Sequence, residues 1–144
     1  MPIKPEHKRR YPENWARIRG EILLRAGNKC EGSPDYPDCR VQNHELGGRD
    51  KNGVWHKALP MGEKMLHLEW PKLGGVWWCE DYPERLRIIR IVLTIAHLDH
   101  TPENCAPSNL RAWCQRCHLH YDKAHHRRTA FETRRKASGV LELF

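Results

Sequence analysis

The chain has 144 residues, of which 30% are charged and only two are phenylalanine, so one domain is expected and its apolar core is thin for its length. A formal charge of +7 and a pI of about 9.3 favour an anionic partner, most commonly nucleic acid, and by themselves argue only for non-specific attraction. MPIKPEHKRRYPENW lacks the apolar run of a signal peptide, and the most apolar stretch, IIRIVLTIA, is short and broken by Arg90, so a membrane span is excluded and a reducing cytoplasm is expected.

In chain order, residues 1–13 form a basic, proline-punctuated arm with Lys4, Lys8, Arg9 and Arg10, either a frayed terminus or a phosphate-contacting tail. Asn14 then stands as N-cap of a helix over residues 15–26. Trp15, Ile18, Ile22, Leu23 and Ala26 recur on one face of it, and Gly27 supplies a left-handed stop. That helix reads as scaffold. Cys30 and Cys39 follow, separated by EGSPDYPD, a wider gap than a zinc half-site usually shows.

Residues 41–84 lose periodicity. Gly47-Gly48, Gly53 and Gly74-Gly75 punctuate short runs expected as small hairpins, and EKMLHLEW offers a helical turn or two. Four of the six tryptophans (55, 70, 77 and 78) fall here and are expected to build a satellite core rather than to stack on bases. His44, His56 and His67 receive no role, and Cys79 and Cys105 are expected as buried thiols. Over residues 85–99 the alternation of Ile89, Ile91, Leu93 and Ile95 predicts a strand. After Cys117 a basic helix is expected to run to Ser138, ending at Gly139.

Cys114 and Cys117 form a close pair at i and i+3. Zinc takes four ligands at tetrahedral corners, so Cys30, Cys39, Cys114 and Cys117 are expected to hold a structural Zn²⁺ that ties the two ends of the domain together, worth about 10 kcal/mol. A redox Cys-x-x-Cys wants a thioredoxin-like βαβ context that is missing here. Cys79 or Cys105 is the substitute if Cys39 is not a ligand.

Phosphodiester hydrolysis requires an activated water, charge neutralisation at phosphorus and help for the departing oxygen. A neutral His100 suits removal of a proton from water, and Asn109 can hold its tautomer. Asp99 is a hard oxygen ligand, and His118 completes a pair for Mg²⁺ or Mn²⁺. His97 is the rival base, since it shares a strand face with Asp99. A straight strand sends Asp99 and His100 to opposite faces, so a bend is required, and Pro102 is expected to mark it. His118, Asp122 and His125 share one helix face, which makes Asp122 or His125 an additional ligand or the residue behind one. Arg127, Arg128, Arg134, Arg135 and Lys136 form either a solvated face that complements the helix dipole or, beside such a site, a set of phosphate contacts.

The Asp-His at 99–100, NLRAWCQRCH and the closing CxxCH together resemble the HNH (His-Asn-His) endonucleases, whose active site is a ββα-metal motif. HLDH ahead of a CxxC is similar also to phage junction-resolving nucleases of the endonuclease VII type. With CEGSPDYPDC upstream, the arrangement resembles small HNH proteins of bacteriophages and prophages. The resemblance covers residues 30–39 and about 90–128, leaving the Trp-rich middle outside it. It implies His100 as general base, Asn109 as the orienting residue, and Asp99 with His118 as ligands of the catalytic Mg²⁺ or Mn²⁺. It implies also DNA cleavage leaving 5′-phosphate and 3′-hydroxyl ends, minor-groove contacts, and phage packaging or recombination proteins as partners.

The expected architecture is therefore α+β in one domain: an N-terminal helix, a structural zinc knuckle, a loop-rich insertion over 41–84 and a treble-clef-like ββα-metal core over 85–138. The leading function is a metal-dependent DNA endonuclease. Two alternatives use the same residues without chemistry: a zinc-stapled nucleic-acid-binding module serving a larger machine, or a zinc protein that binds another protein through the Trp-rich insertion.

Overall fold

Helix α1 spans Trp15–Arg25 in a computed structural model that describes residues 5–58, 73–79 and 82–139. Ile22 is buried, and Trp15, Ile18, Leu23 and Ala26 pack beside it, the face that their spacing required. Asn14 makes no side-chain cap. The stop is made by Gly27 and Asn28, both left-handed (φ 63° and 59°), with the Asn28 N–H donating to the Leu23 carbonyl. Ahead of α1, Pro5–Arg10 forms a short 3-10 helix. The Arg10 guanidinium holds it against the loop after residue 98 through two hydrogen bonds to Glu103, at 2.6 and 2.9 Å.

The strands among the described residues form three small antiparallel sheets. β1 (Leu46–Arg49) lies between β2 (Trp55–Lys57) and β5 (Ile89–Arg90); β3 (Val76–Cys79) pairs with β4 (Tyr82–Arg87); β6 (Thr94–His97) pairs with β7 (Leu110–Trp113). The single strand expected over 85–99 is thus divided among all three sheets. Leu86 stands opposite Trp77, Ile89 opposite Gly47, and Ile95 opposite Ala112. Between β5 and β6 the Ile91 N–H donates to the Glu45 carbonyl and the Leu93 N–H to the Asn43 side chain. The burial alternation holds from residue 91 on, with Ile91, Leu93 and Ile95 buried and Val92 exposed, whereas Ile88, expected on the opposite face, is buried and Ile89 only half-buried. A period of two reports which side of a chain is buried and carries no information about which strand lies alongside. Gly47 and Gly48 permit the crowding around β1. A Cβ on Gly47 would come within 2.6 Å of the Trp55 ring, and one on Gly48 within 2.6 Å of the Leu86 Cβ.

The main core joins Ile22, Ile91, Leu93, Ile95, Leu110, Ala112 and Trp113 to four cysteines. Trp113 is 1% exposed; its indole N–H donates to the Gly32 carbonyl at 2.8 Å, and its ring meets Tyr121. The β6–β7 ribbon packs on α1 and on the last helix, α2 (Gln115–Ala137). Only Cys117 and Asp122 of α2 are buried, so most of that helix projects into solvent. Ala58, Leu86 and Ile88 make a second, much smaller cluster. Of the tryptophans in the insertion, Trp55 packs against the main core. His67, Trp70 and the EKMLHLEW segment lie outside the described residues, as do the side chains of Trp77, Trp78 and Cys79. The architecture is mixed helix and sheet, and among the described residues no helix is long and apolar enough to cross a membrane.

Candidate metal centre and active site

Cys30 follows the stop of α1 and is fixed by its N–H to the Val41 carbonyl, while the Glu31 N–H donates to Ala112 of the ribbon. Turns at 33–36 and 36–39 fold the loop so that Cys39 returns beside Cys30. Cys114 is the N-cap of α2 and Cys117 lies in its first turn. All four thiols are free and buried, and their sulfurs lie within 4.8 Å of one another, with Cys39 and Cys114 at 3.8 Å. A tetrahedron of sulfurs each ~2.3 Å from zinc has edges of about 3.8 Å, whereas a disulfide needs about 2.05 Å. The cluster therefore fits a structural zinc site. Polar groups already face it. Gly32 and Cys114 donate backbone N–H groups to the Cys30 sulfur at 3.4 Å, and Arg49 Nη2 stands 3.9 Å from Cys114 Sγ. Hydrogen bonding among the four sulfurs lowers Cys39 and Cys117, with Cys114 the first cause for each, and raises Cys30 and Cys114, so the four titrate as one group. A metal takes such sulfurs as thiolates.

One turn further along α2, a second cluster gathers around Asp122, which is 7% exposed. His118 Nε2 is 2.9 Å from one carboxylate oxygen, His100 Nδ1 3.4 Å from the other, and His126 Nε2 3.8 Å from the first. The Thr94 hydroxyl of β6 meets His118 Nδ1 at 2.6 Å, which fixes that ring from behind. His100 stacks on His125 at 4.0 Å between centroids and lies beside Tyr121. Burial pushes the Asp122 carboxyl up, but the hydrogen bond from His118 and the surrounding imidazoles pull it down further, and it ends below the usual range. Burial pushes His100 the other way for a base, below its ordinary value.

His100 reaches this position through a left-handed backbone (φ 56°), with its N–H on the His97 carbonyl. The bend therefore lies at residues 98–100, ahead of Pro102. A β-carbon in that region costs about 1–2 kcal/mol, strain that the surroundings must hold in place.

Asp99 and Asn109 form a knot of their own. Asp99 Oδ1 accepts from Asn109 Nδ2 and from the Thr101 N–H, both at 2.9 Å, and Oδ2 accepts from Asn104 Nδ2 at 2.9 Å. Asn109 Oδ1 in turn accepts from the Asp99 N–H. Hydrogen bonds from Asn104 and Asn109 hold the Asp99 carboxyl down to about 2. Asn109 thus acts on the main chain next to His100 and makes no hydrogen bond to the imidazole. Among the described residues, the group beside His100 Nδ1 is the Asp122 carboxylate, at 3.4 Å.

His97, the rival base, lies on the other face of the ribbon. It stacks on Trp15 of α1 (5.2 Å, 22°), meets the Tyr11 ring edge-on, and is 9% exposed. Alternation along β6 explains the separation: Thr94 meets His118 of α2 while His97, three residues on, stacks on Trp15 of α1. Of the two imidazoles, His100 shares a carboxylate with His118.

The basic residues Arg127, Arg128, Arg134, Arg135 and Lys136 lie along the projecting part of α2, mostly exposed, with Arg128 bonded to His125. Thr94, Asn104, Arg49 and Arg116 were not anticipated. Asn104 stands five residues after Asp99 in a turn, a spacing that an Asx-type knot could have suggested, whereas the others have no local signal. Compared with known protein families, curated proteins and solved structures, the chain matches none.

Proposed function

We propose that the chain is a metal-dependent endonuclease of the HNH kind that hydrolyses phosphodiester bonds in DNA, with its reacting centre at Asp122. The observation that carries this reading is the convergence of His100 and His118, from a ribbon loop and a helix, on one buried carboxylate. In this reading β6, β7 and the first turns of α2 are the ββα-metal unit, stapled by zinc on the four cysteines. Asp122 at Nδ1 of His100 favours the tautomer protonated there and leaves the Nε2 lone pair to take a proton from water. Burial keeps that imidazole neutral at physiological pH.

His118 and Asp122 would hold the divalent cation; Asp99 already spends three of its acceptor sites on hydrogen bonds that organise its loop. When bound, Mg²⁺ or Mn²⁺ supplies charge neutralisation at phosphorus and at the leaving oxygen. One imidazole and one carboxylate leave most positions to water and substrate, as Mg²⁺ requires, and the nitrogen donor suits Mn²⁺ as well. Asn109 and Asp99 position His100 by fixing the backbone beside it.

The commitment of Asp99 to its loop favours a second reading, a zinc-stapled DNA-binding module with no chemistry. One experiment separates the two. Zinc-loaded protein with Mn²⁺ is expected to nick or linearise supercoiled plasmid, with rates about 10²–10⁴-fold lower in His100→Ala and Asp122→Asn. Plasmid that is bound yet left intact across salt and pH would favour the second reading.

A further inference from the structure

A cavity of about 640 Å³ opens beside the four-cysteine cluster, between the cysteine loop, the β1–β2 hairpin and the first turn of α2. Two of its walls are arginine–aromatic pairs. The Arg116 guanidinium lies 3.9 Å over the Tyr36 ring, and that of Arg49 5.4 Å over Trp55. Both donate to the same acceptor, the Gly53 carbonyl, at 2.7 and 3.0 Å. Among the described residues neither has a carboxylate partner, and the buried Arg116 Nε has no hydrogen-bond partner. Lys29 and Arg40 add two further cations to the same cavity. Its acids are Glu45, Asp35 and Asp38; Glu45 is occupied by the Trp55 N–H and faces Lys57. Stacking on a ring and anchoring to a carbonyl remove rotamer freedom from a guanidinium; Arg49 also turns Nη2 toward the Cys114 sulfur, whereas Arg116 keeps Nη2 for an incoming group such as phosphate.

From Arg116 at the cavity edge, positive charge continues along α2. Arg116, His120, Lys123, Arg127 and Arg134 stand at i, i+4, i+7, i+11 and i+18, so they share one face of the helix. The two acids of α2, Asp122 and Glu132, fall on the other side, as do His118 and His125. Lys123, Arg127 and Arg134 are exposed and form no ion pair among the described residues.

We propose that this face and cavity form a track for a nucleic-acid backbone, separate from the segment presented to His100, in which Arg116 receives a phosphate at the cavity end and Arg49 adds its charge behind it. The proposal rests on the hydrolase reading only for the kind of partner. It adds a non-scissile contact about 200° around the helix from His118, so a substrate engaging both must pass around α2.

The test uses the full zinc-loaded chain carrying His100→Ala, so that binding is measured without cleavage. The probes are a fluorescein-labelled DNA duplex and its single strand, titrated over a range of salt. Lys123→Gln/Arg127→Gln and Lys29→Gln/Arg40→Gln are each expected to flatten the plot of log affinity against log salt by about 1.8 for duplex or about 1.4 for single strand, two contacts each. A matched loss of charge on α1, Arg17→Gln/Arg19→Gln, is expected to leave the slope unchanged. The proposal is overturned if either track variant keeps the parental slope, or if the α1 control flattens it equally. Binding that follows this pattern in a chain whose parent fails to cut plasmid would sink the hydrolase reading and leave the track standing. Cutting by the parent with unchanged slopes in the track variants would do the reverse.

Discussion

Two clusters share the first two turns of α2, and they are built to opposite specifications. The four sulfurs come from two segments, are buried, and already lie at the separations a tetrahedral ion needs. The Asp122 cluster buries its carboxylate but leaves the His118, His100 and His126 side chains 23%, 26% and 48% exposed. Closed sites with every position filled by protein hold structure together, and sites that keep positions open to water do chemistry. The same helix therefore serves as the fixed end of a staple and, one turn later, as the floor of an accessible site.

The largest effect should come from breaking the closed cluster. Chelation of zinc, or Cys114→Ser, should abolish the cooperative thermal transition and most helical circular dichroism, since about 10 kcal/mol rests on such a site in a chain with so small an apolar core. A chelated chain that melts as before would remove the cysteines from the stability argument. At the open cluster the expected result is the converse. His100→Gly should lower plasmid cleavage by about 10²–10⁴-fold while leaving the melting temperature level or slightly raised, because glycine relieves the left-handed backbone at that position. A drop of many degrees would make His100 a structural residue instead.

The two carboxylates can be separated by metal dependence. Asp122→Asn should raise the Mn²⁺ concentration needed for half-maximal cleavage. Asp99→Asn should leave it unchanged and lower the rate only through the loop it organises. The opposite pattern would return the ligand role to Asp99.

The smallest effect concerns pH. Burial lowers the folded-state values of His97 and His100 below 6.5, so the unfolded chain binds more protons as pH falls through 6.5. Stability should decline over that window, level off once both rings are protonated in the folded chain, and be fully present above it. Urea midpoints measured from neutral to mildly acid pH test this, and His97→Gln should flatten part of the decline.

The difference between the clusters also governs what could be read in advance. A tetrahedral thiolate site tolerates few sequence solutions, so Cys30, Cys114 and Cys117 were legible from the close pair and its need for partners, while Cys39, at a wider gap and with Cys79 or Cys105 as substitutes, was settled by the folded chain, in which 74 residues separate the two pairs. α1 was legible because burying one face of a helix imposes a repeat of 3.6 on its apolar residues, and α2 because Gly139 and the cysteine pair bound it. The burial alternation from Ile91 to Ile95 was legible for the same kind of reason.

Other features were decided only once the chain was packed. The sequence placed Asp99 beside His100 and offered His97 as a rival, because neighbours in a chain look like neighbours in a site. A left-handed residue at 100 and the two faces of a ribbon undo that proximity, turning Asp99 into a loop knot, His97 toward Trp15, and His100 toward Asp122. The division of residues 82–97 among three sheets, and the meeting of Arg49 with Arg116 at the Gly53 carbonyl, have the same origin. Local repeats and ligand spacings are set by geometry within a segment, and a sequence records them. Which surfaces face each other depends on contacts between distant segments, and only the folded chain specifies those.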